Sequence, residues 1–213
     1  MADIVRYPIG EQSFEELRGR NCLYVDKTSF IEKVIESGGK YYFLGRPRRF
    51  GKSLFLNTLQ CFFEGKRHLF KGLHADSMDW DWEPYPVLKL DLNIEKYKTP
   101  DALDAVIEKT LREWERRYGI TPEIDNPSVR FSDIIRTASE KTGKGVVILV
   151  DEYDKPLVNN LHNKENFEYC RNRLAALYSN FKSGADHIRL VFLTGVSRFA
   201  HLSVFSDLNN IRD

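Results

Sequence analysis

Residues 43–56 read FLGRPRRFGKSLFL, and the fold of the chain turns on this stretch. It ends like a phosphate-binding loop, in Gly51-Lys52-Ser53, but it does not begin like one. The usual pattern is a glycine, four variable residues, then Gly-Lys-Ser or Gly-Lys-Thr. Here the first glycine's place belongs to Arg46, and the nearest glycine, Gly45, comes one residue early. Context argues for the loop nonetheless. The preceding YYFLG reads as a short buried strand, and Phe55, Leu59, Phe62 and Phe63 follow at helical spacing until Gly65. A turn leaving a strand and entering a helix is where backbone N–H groups converge on an anion.

On this reading the N–H groups of Arg48, Arg49, Phe50 and Gly51 cradle a phosphate, and Lys52 reaches the β and γ phosphates of ATP. The Ser53 hydroxyl is a ligand for Mg²⁺, and Leu54 continues the first helical turn. Arg46, Arg48 and Arg49 add positive charge beside the polyanion. A glycine at the altered position would ease the turn but donate no side chain, so its loss need not destroy binding. Lys52 is expected to be solvated while no nucleotide is bound. The competing reading is a basic surface turn before an ordinary helix.

Outward from the loop, strands and helices alternate. NCLYVDKTSFIEKVIESGG places Asp26 before a helix with Phe30, Ile31, Val34 and Ile35 on one face, ended by Gly38 and Gly39. Residues 66–86 hold Trp80, Trp82 and Tyr85, which predicts an ordered connector rather than a flexible linker. VLKLDLN is a strand with Leu88, Leu90 and Leu92 alternating on one face. A helix follows from Pro100 to Gly119 with Thr99 as its cap, then further helices near 131–141 and 167–182. GVVILVDEYD and IRLVFLTGVSRF are apolar runs ending in polar residues. Strands apolar on both faces, alternating with helices, predict a mostly parallel sheet covered on both sides. Ligands of such sheets bind beyond the carboxyl ends of the strands. Gly45, Asp151 and Thr194 should therefore converge.

VVILVDE has the form of a Walker B strand: Asp151 to hold the Mg²⁺ shell, then Glu152 as a general base for the attacking water. Acids ending a buried strand at the solvent boundary are common, but their pairing with the loop is far less so. In LTGVSRF, Thr194 is a candidate to hydrogen-bond the lytic water or γ-phosphate, and Arg198 to supply charge to the transition state. Asp154 and Lys155 read as a structural turn, and no two of the five histidines have metal-ligand spacing.

Composition sets the frame. At 213 residues, 42% hydrophobic and 30% charged, the chain suits one α/β domain. Lys+Arg 32 against Asp+Glu 31 leaves no global field to draw nucleic acid. Cys22, Cys61 and Cys170 are scattered and odd in number, as expected of reduced thiols. The N-terminus lacks the pattern of a signal peptide and the apolar runs are strand-sized, so a cytoplasmic location and no membrane contact are expected.

With these residues in hand the sequence resembles the bacterial AAA-ATPase-like family. The segments that carry the resemblance are YPIGEQSFEELR, LYVDKTSFIEKVIE, GRPRRFGKSLFLNTL, ILVDEYDKPL and VFLTGVSRFAHLSVFSDLNNIRD. The arginine in place of the loop's first glycine looks like that family's usual form. The resemblance implies an α/β P-loop NTPase of the ASCE type, a three-layer sandwich, with ATP and Mg²⁺ bound by the residues above. It implies a single domain over residues 1–213, with a helical segment at 1–40 and a nucleotide-binding core at 41–213. It places LYVDKT near the nucleotide, against the base. Members of the family usually continue into a helical lid and often into a nuclease-like domain of the PD-(D/E)XK type. Neither is present, so the sequence is expected to be a piece of a longer protein with slow turnover. A nucleic-acid or protein partner would then engage the missing regions, and oligomerisation stays open. Two rival functions remain: an ATP-dependent switch or scaffold with little turnover, and a nucleic-acid-binding module built on Arg46 to Lys52.

Overall fold

The computed structural model describes residues 7, 8, 10–196 and 212. Two helices, α1 (Phe14–Gly19) and α2 (Ser29–Glu36), precede strand β1 (Tyr41–Gly45) and helix α3 (Lys52–Phe63). A connector of short 3₁₀ turns leads to β2 (Val87–Asp91), and α4 (Pro100–Tyr118) and α5 (Pro127–Thr142) lead to β3 (Val146–Asp151). Helices α6 (Lys155–Val158), α7 (Lys164–Tyr178) and α8 (Asn180–Ser183) then bring the chain to β4 (Ile188–Gly195).

The strands form one parallel sheet in the order β1-β4-β3-β2. The path from β1 to β2 crosses the whole sheet in one direction, and β3 and β4 fill in on the way back. Because parallel crossovers are right-handed, the two directions put their helices on opposite faces. The result is an α/β three-layer sandwich of the P-loop NTPase type, with β4 between the strand that feeds the loop and the strand that ends in Asp151. On the outer side of β1, Arg212 makes a parallel bridge with Tyr42.

Period-two alternation divides the sheet between two cores. Val146, Ile148 and Val150 of β3 face α4, α5 and α7, whereas Val147 and Leu149 face α3. In β4 the same split puts Val191 and Leu193 on one side and Leu190 and Phe192 on the other. Val146 stands opposite Ile188 but Val147 opposite Leu190, so Arg189 is an extra residue in the register. The aromatic connector is ordered as expected: Trp82 lies 4.9 Å from the Phe62 ring, and Trp80 stacks on Tyr85 at 5.8 Å.

Several local expectations are adjusted. Helix α5 begins at Pro127 because the Asn126 side chain accepts the N–H groups of Ser128 and Val129. Helical structure expected near 167–182 starts earlier, at Lys164, and is divided at Ser179. Thr99 occupies the cap position of α4 but makes no side-chain capping bond. Phe30 does not join the buried face of α2 and stays 52% exposed, while Ile31 is fully buried. Leu92 lies in a 3₁₀ turn after β2, yet shares the core of Leu88 and Leu90. All three cysteines are free thiols, and burial pushes Cys61 and Cys170 up to about 11, away from thiolate chemistry.

Candidate functional site

Helix α3 begins without a side-chain cap and with no acidic residue in its first turn. Gly51, its N-cap, sits at φ +77°, a left-handed conformation open to glycine at little cost. Arg49 adopts φ +67° in the same loop. The aromatic side chains of α3 anchor it: Phe55, Phe62 and Phe63 are buried, each worth roughly 1.5–3 kcal/mol. A firmly packed helix therefore presents uncapped N–H groups and the positive end of its dipole at the strand ends.

A cavity of about 810 Å³ opens there, lined by Arg48, Arg49, Lys52, Ser53, Leu54 and Glu152 among others. Lys52 is not solvated, contrary to expectation: it is 3% exposed. Its ammonium donates to the Arg46 carbonyl at 3.0 Å and the Pro47 carbonyl at 3.4 Å, and pairs with Glu152 Oε1 at 3.1 Å. The reason is tertiary: β4 intervenes between the two parent strands, and Glu152 leans back from the end of β3 over the loop.

Asp151 is buried, and its Oδ1 accepts the Thr194 hydroxyl at 2.5 Å. The same hydroxyl accepts the Glu152 N–H at 3.1 Å, and the Thr194 carbonyl accepts the Tyr153 N–H at 2.9 Å. Glu152 itself is left-handed at φ +52°. Beyond Thr194 the packing is tight. A Cβ on Gly195 would meet a Tyr153 ring carbon at 2.5 Å and Asp154 Oδ1 at 2.8 Å, and the Val196 N–H donates to Asp154 Oδ2 at 3.0 Å.

The structure thus brings Lys52, Ser53, Asp151, Glu152 and Thr194 together, with Arg48, Arg49, Gly51 and Leu54 around them. It turns Arg46 and Phe50 elsewhere. The Arg46 guanidinium donates to its neighbour's carbonyl, that of Gly45, at 2.8 Å. Phe50 is 63% exposed, and both residues border a separate hollow of about 650 Å³ on the far side of Gly51. Arg198 lies outside the described residues. Within LYVDKT, Asp26 and Thr28 are structural: Asp26 accepts the N–H groups of Thr28 at 2.8 Å and His74 at 2.7 Å, and Thr28 Oγ1 accepts that of Ala75 at 2.9 Å. Lys27 and Tyr24 instead line a small apolar hollow that shares Gly51 and Leu54 with the main cavity.

Among the cavity residues outside the motif reading, Asn93 and Lys155 form a polar pair. Asn93 follows β2, and Lys155 donates to its carbonyl at 2.6 Å and its Oδ1 at 2.9 Å. The rule that strand ends converge applies to β2 as well, and would have singled out Asn93. Among the described residues no three His, Cys, Asp or Glu side chains form a metal site of their own, and no helix is long and apolar enough to cross a membrane.

Comparison with known proteins agrees with this architecture. A family model described as "Predicted AAA-ATPase" matches residues 8–205. The chain is 42% identical over 210 residues to the "Uncharacterized protein in vnfD 5'region" of Azotobacter chroococcum mcd 1, across 98% of this chain and 40% of that relative. It thus spans about two fifths of that relative's length. No solved structure matches it. By the extent of the family match, over a loop and strand ends arranged as above, the chain belongs to the AAA-ATPase-like family of predicted AAA-ATPases.

Proposed function

We propose that this chain is a Mg²⁺-dependent ATPase module in which nucleotide state sets conformation. The observation that carries the reading is the Lys52–Glu152 contact inside a cavity at the uncapped start of α3. The phosphate-binding lysine and the carboxylate beside Asp151 occupy one space, although one opens helix α3 and the other follows strand β3.

The first-turn N–H groups of α3 and the Lys52 ammonium bind the β and γ phosphates. Ser53 and Asp151 would hold Mg²⁺ through the hard oxygen ligands it prefers, and the ion would supply positive charge against the phosphates. Glu152 accepts the proton of the water that attacks the γ-phosphorus, and ADP leaves as the phosphoanhydride bond breaks. Arg48 and Arg49, exposed on the loop, favour approach of the polyanion.

Calorimetric titration with ATP, with and without Mg²⁺, followed by single-turnover phosphate release, tests the reading. Mg²⁺-dependent binding with release is expected. Absence of Mg²⁺-dependent binding removes the proposal, and binding without release reduces the module to a nucleotide switch. Trp80 and Trp82 pack on Phe62 and Trp114 on Phe131, so a labelled nucleotide reports better than intrinsic fluorescence.

A further inference from the structure

Thr194 is fully buried, and both functions of its hydroxyl are engaged within the protein. A hydroxyl carries one proton and two acceptor lone pairs. The proton goes to Asp151 Oδ1 at 2.5 Å, a charge-assisted bond, and one lone pair takes the Glu152 N–H at 3.1 Å. No proton remains for a phosphate oxygen or a water. The direct contact with the reacting groups expected from the sequence is therefore not the role this geometry supports.

The backbone says what the role is. Glu152 sits at φ +52°, a left-handed conformation that is unfavourable for a residue carrying a Cβ. It is held there by two successive N–H groups, those of Glu152 and Tyr153, both donating to Thr194. The turn carries the Glu152 side chain over the loop to Lys52. We propose that Thr194 is a positioning residue. From the central strand of the site it orients the Asp151 carboxylate and fixes the strained turn that aims Glu152, so the metal-holding and water-activating groups share one anchor. The proposal rests on the ATPase reading above.

The test compares Thr194→Val, which keeps the shape and removes the hydroxyl, with Thr194→Ser, which restores it. The first readout is the Mg²⁺ concentration needed for half-maximal binding of a non-hydrolysable ATP analogue, and the second is the single-turnover rate with ATP. Hydrogen-bond partners standing behind metal ligands are worth about 10–100-fold in metal affinity or activity. Thr194→Val should raise the Mg²⁺ requirement and lower the rate on that scale, and Thr194→Ser should return both close to the parent values. A change in rate with an unaltered Mg²⁺ requirement would mean the hydroxyl touches the reacting groups and would overturn the proposal. So would a Thr194→Ser variant as impaired as Thr194→Val, or a Thr194→Val variant matching the parent. If Thr194→Val does not fold, Thr194→Cys, with a weak donor of similar size, takes its place and the same outcomes decide. A parent chain that binds no analogue fails the ATPase reading itself and takes this proposal with it; a parent that binds isolates the role of Thr194.

Discussion

Lys52 Nζ lies 3.1 Å from Glu152 Oε1, with the lysine side chain 3% and the glutamate 16% exposed. The group that should hold phosphate and the group that should activate water thus neutralise each other. On the proposed ATPase reading, an incoming γ-phosphate would compete with Glu152 for Lys52 and free the carboxylate as it took the ammonium.

Glu152→Gln should therefore have two separable effects. Loss of the base slows hydrolysis by roughly a hundredfold or more. Loss of the competing charge tightens binding of a non-hydrolysable ATP analogue, read by calorimetry as a several-fold fall in Kd, since the neutral amide left at 152 holds Lys52 less strongly than the carboxylate did. Hydrolysis at the parent rate would show that another group is the base.

Lys52→Ala should weaken Mg²⁺-ATP binding by about 10- to 100-fold, the scale of one charge-assisted hydrogen bond. It should also lower the melting temperature without nucleotide, because the Arg46 and Pro47 carbonyls and Glu152 lose their shared donor. Thermal-shift titration reads both. Equal stabilisation of variant and parent by Mg²⁺-ATP would remove the loop from binding.

Asp151→Asn should fold well, because the amide oxygen still accepts the Thr194 hydroxyl. The lost charge should appear in the metal alone: analogue binding should need about tenfold more Mg²⁺, the low end of the range for altered metal sites. A binding curve with unaltered Mg²⁺ dependence would exclude Asp151 as the ligand.

Away from the site, Arg130 is buried between α4 and α5 and donates to Glu115 at 2.7 and 2.9 Å and to Glu108 at 2.5 Å. Arg130→Met should cost about 3–5 kcal/mol, because Glu115 is left charged and buried. The Arg130 guanidinium, with help from Arg112, also holds the Glu108 carboxyl below its ordinary value. A depressed carboxyl stabilises the fold above that ordinary value, about 4.3, and the contribution is lost as pH falls through the lower folded value. Melting temperature should drop as pH falls below that ordinary value and through the lower folded one, and Glu108→Gln should flatten that slope.

Sheet type was legible because VVILV (146–150) and LVFL (190–193) are apolar at every position, which only a strand covered on both faces tolerates. The loop's place between β1 and α3 was legible because YYFLG and the helical spacing of Phe55, Leu59, Phe62 and Phe63 are local patterns. Burial of Lys52 was not, since its partner arrives on a strand far along the chain and the contact depends on where β4 is inserted. Thr194 was identified as a site residue, but its task depends on the direction of one hydroxyl proton, which no sequence pattern records. Arg46 was named for its charge and Phe50 for its backbone N–H, and the side chains of both border a separate hollow that no sequence pattern marks.

Gly195 has no room for a side chain against Tyr153 and Asp154, and Val196 is tied by its N–H to the Asp154 carboxylate. The end of β4 and the turn carrying Glu152 are therefore meshed like two gear teeth, the Tyr153 ring and the Asp154 carboxylate set directly against the Gly195 backbone. On the proposed ATPase reading, a displacement of that turn as Glu152 left Lys52 would have little slack to absorb it and would be passed to Val196. Chemical occupancy at the loop would then become mechanical output at the rim, and a bulkier residue at position 195 would jam the transmission even with every phosphate contact intact.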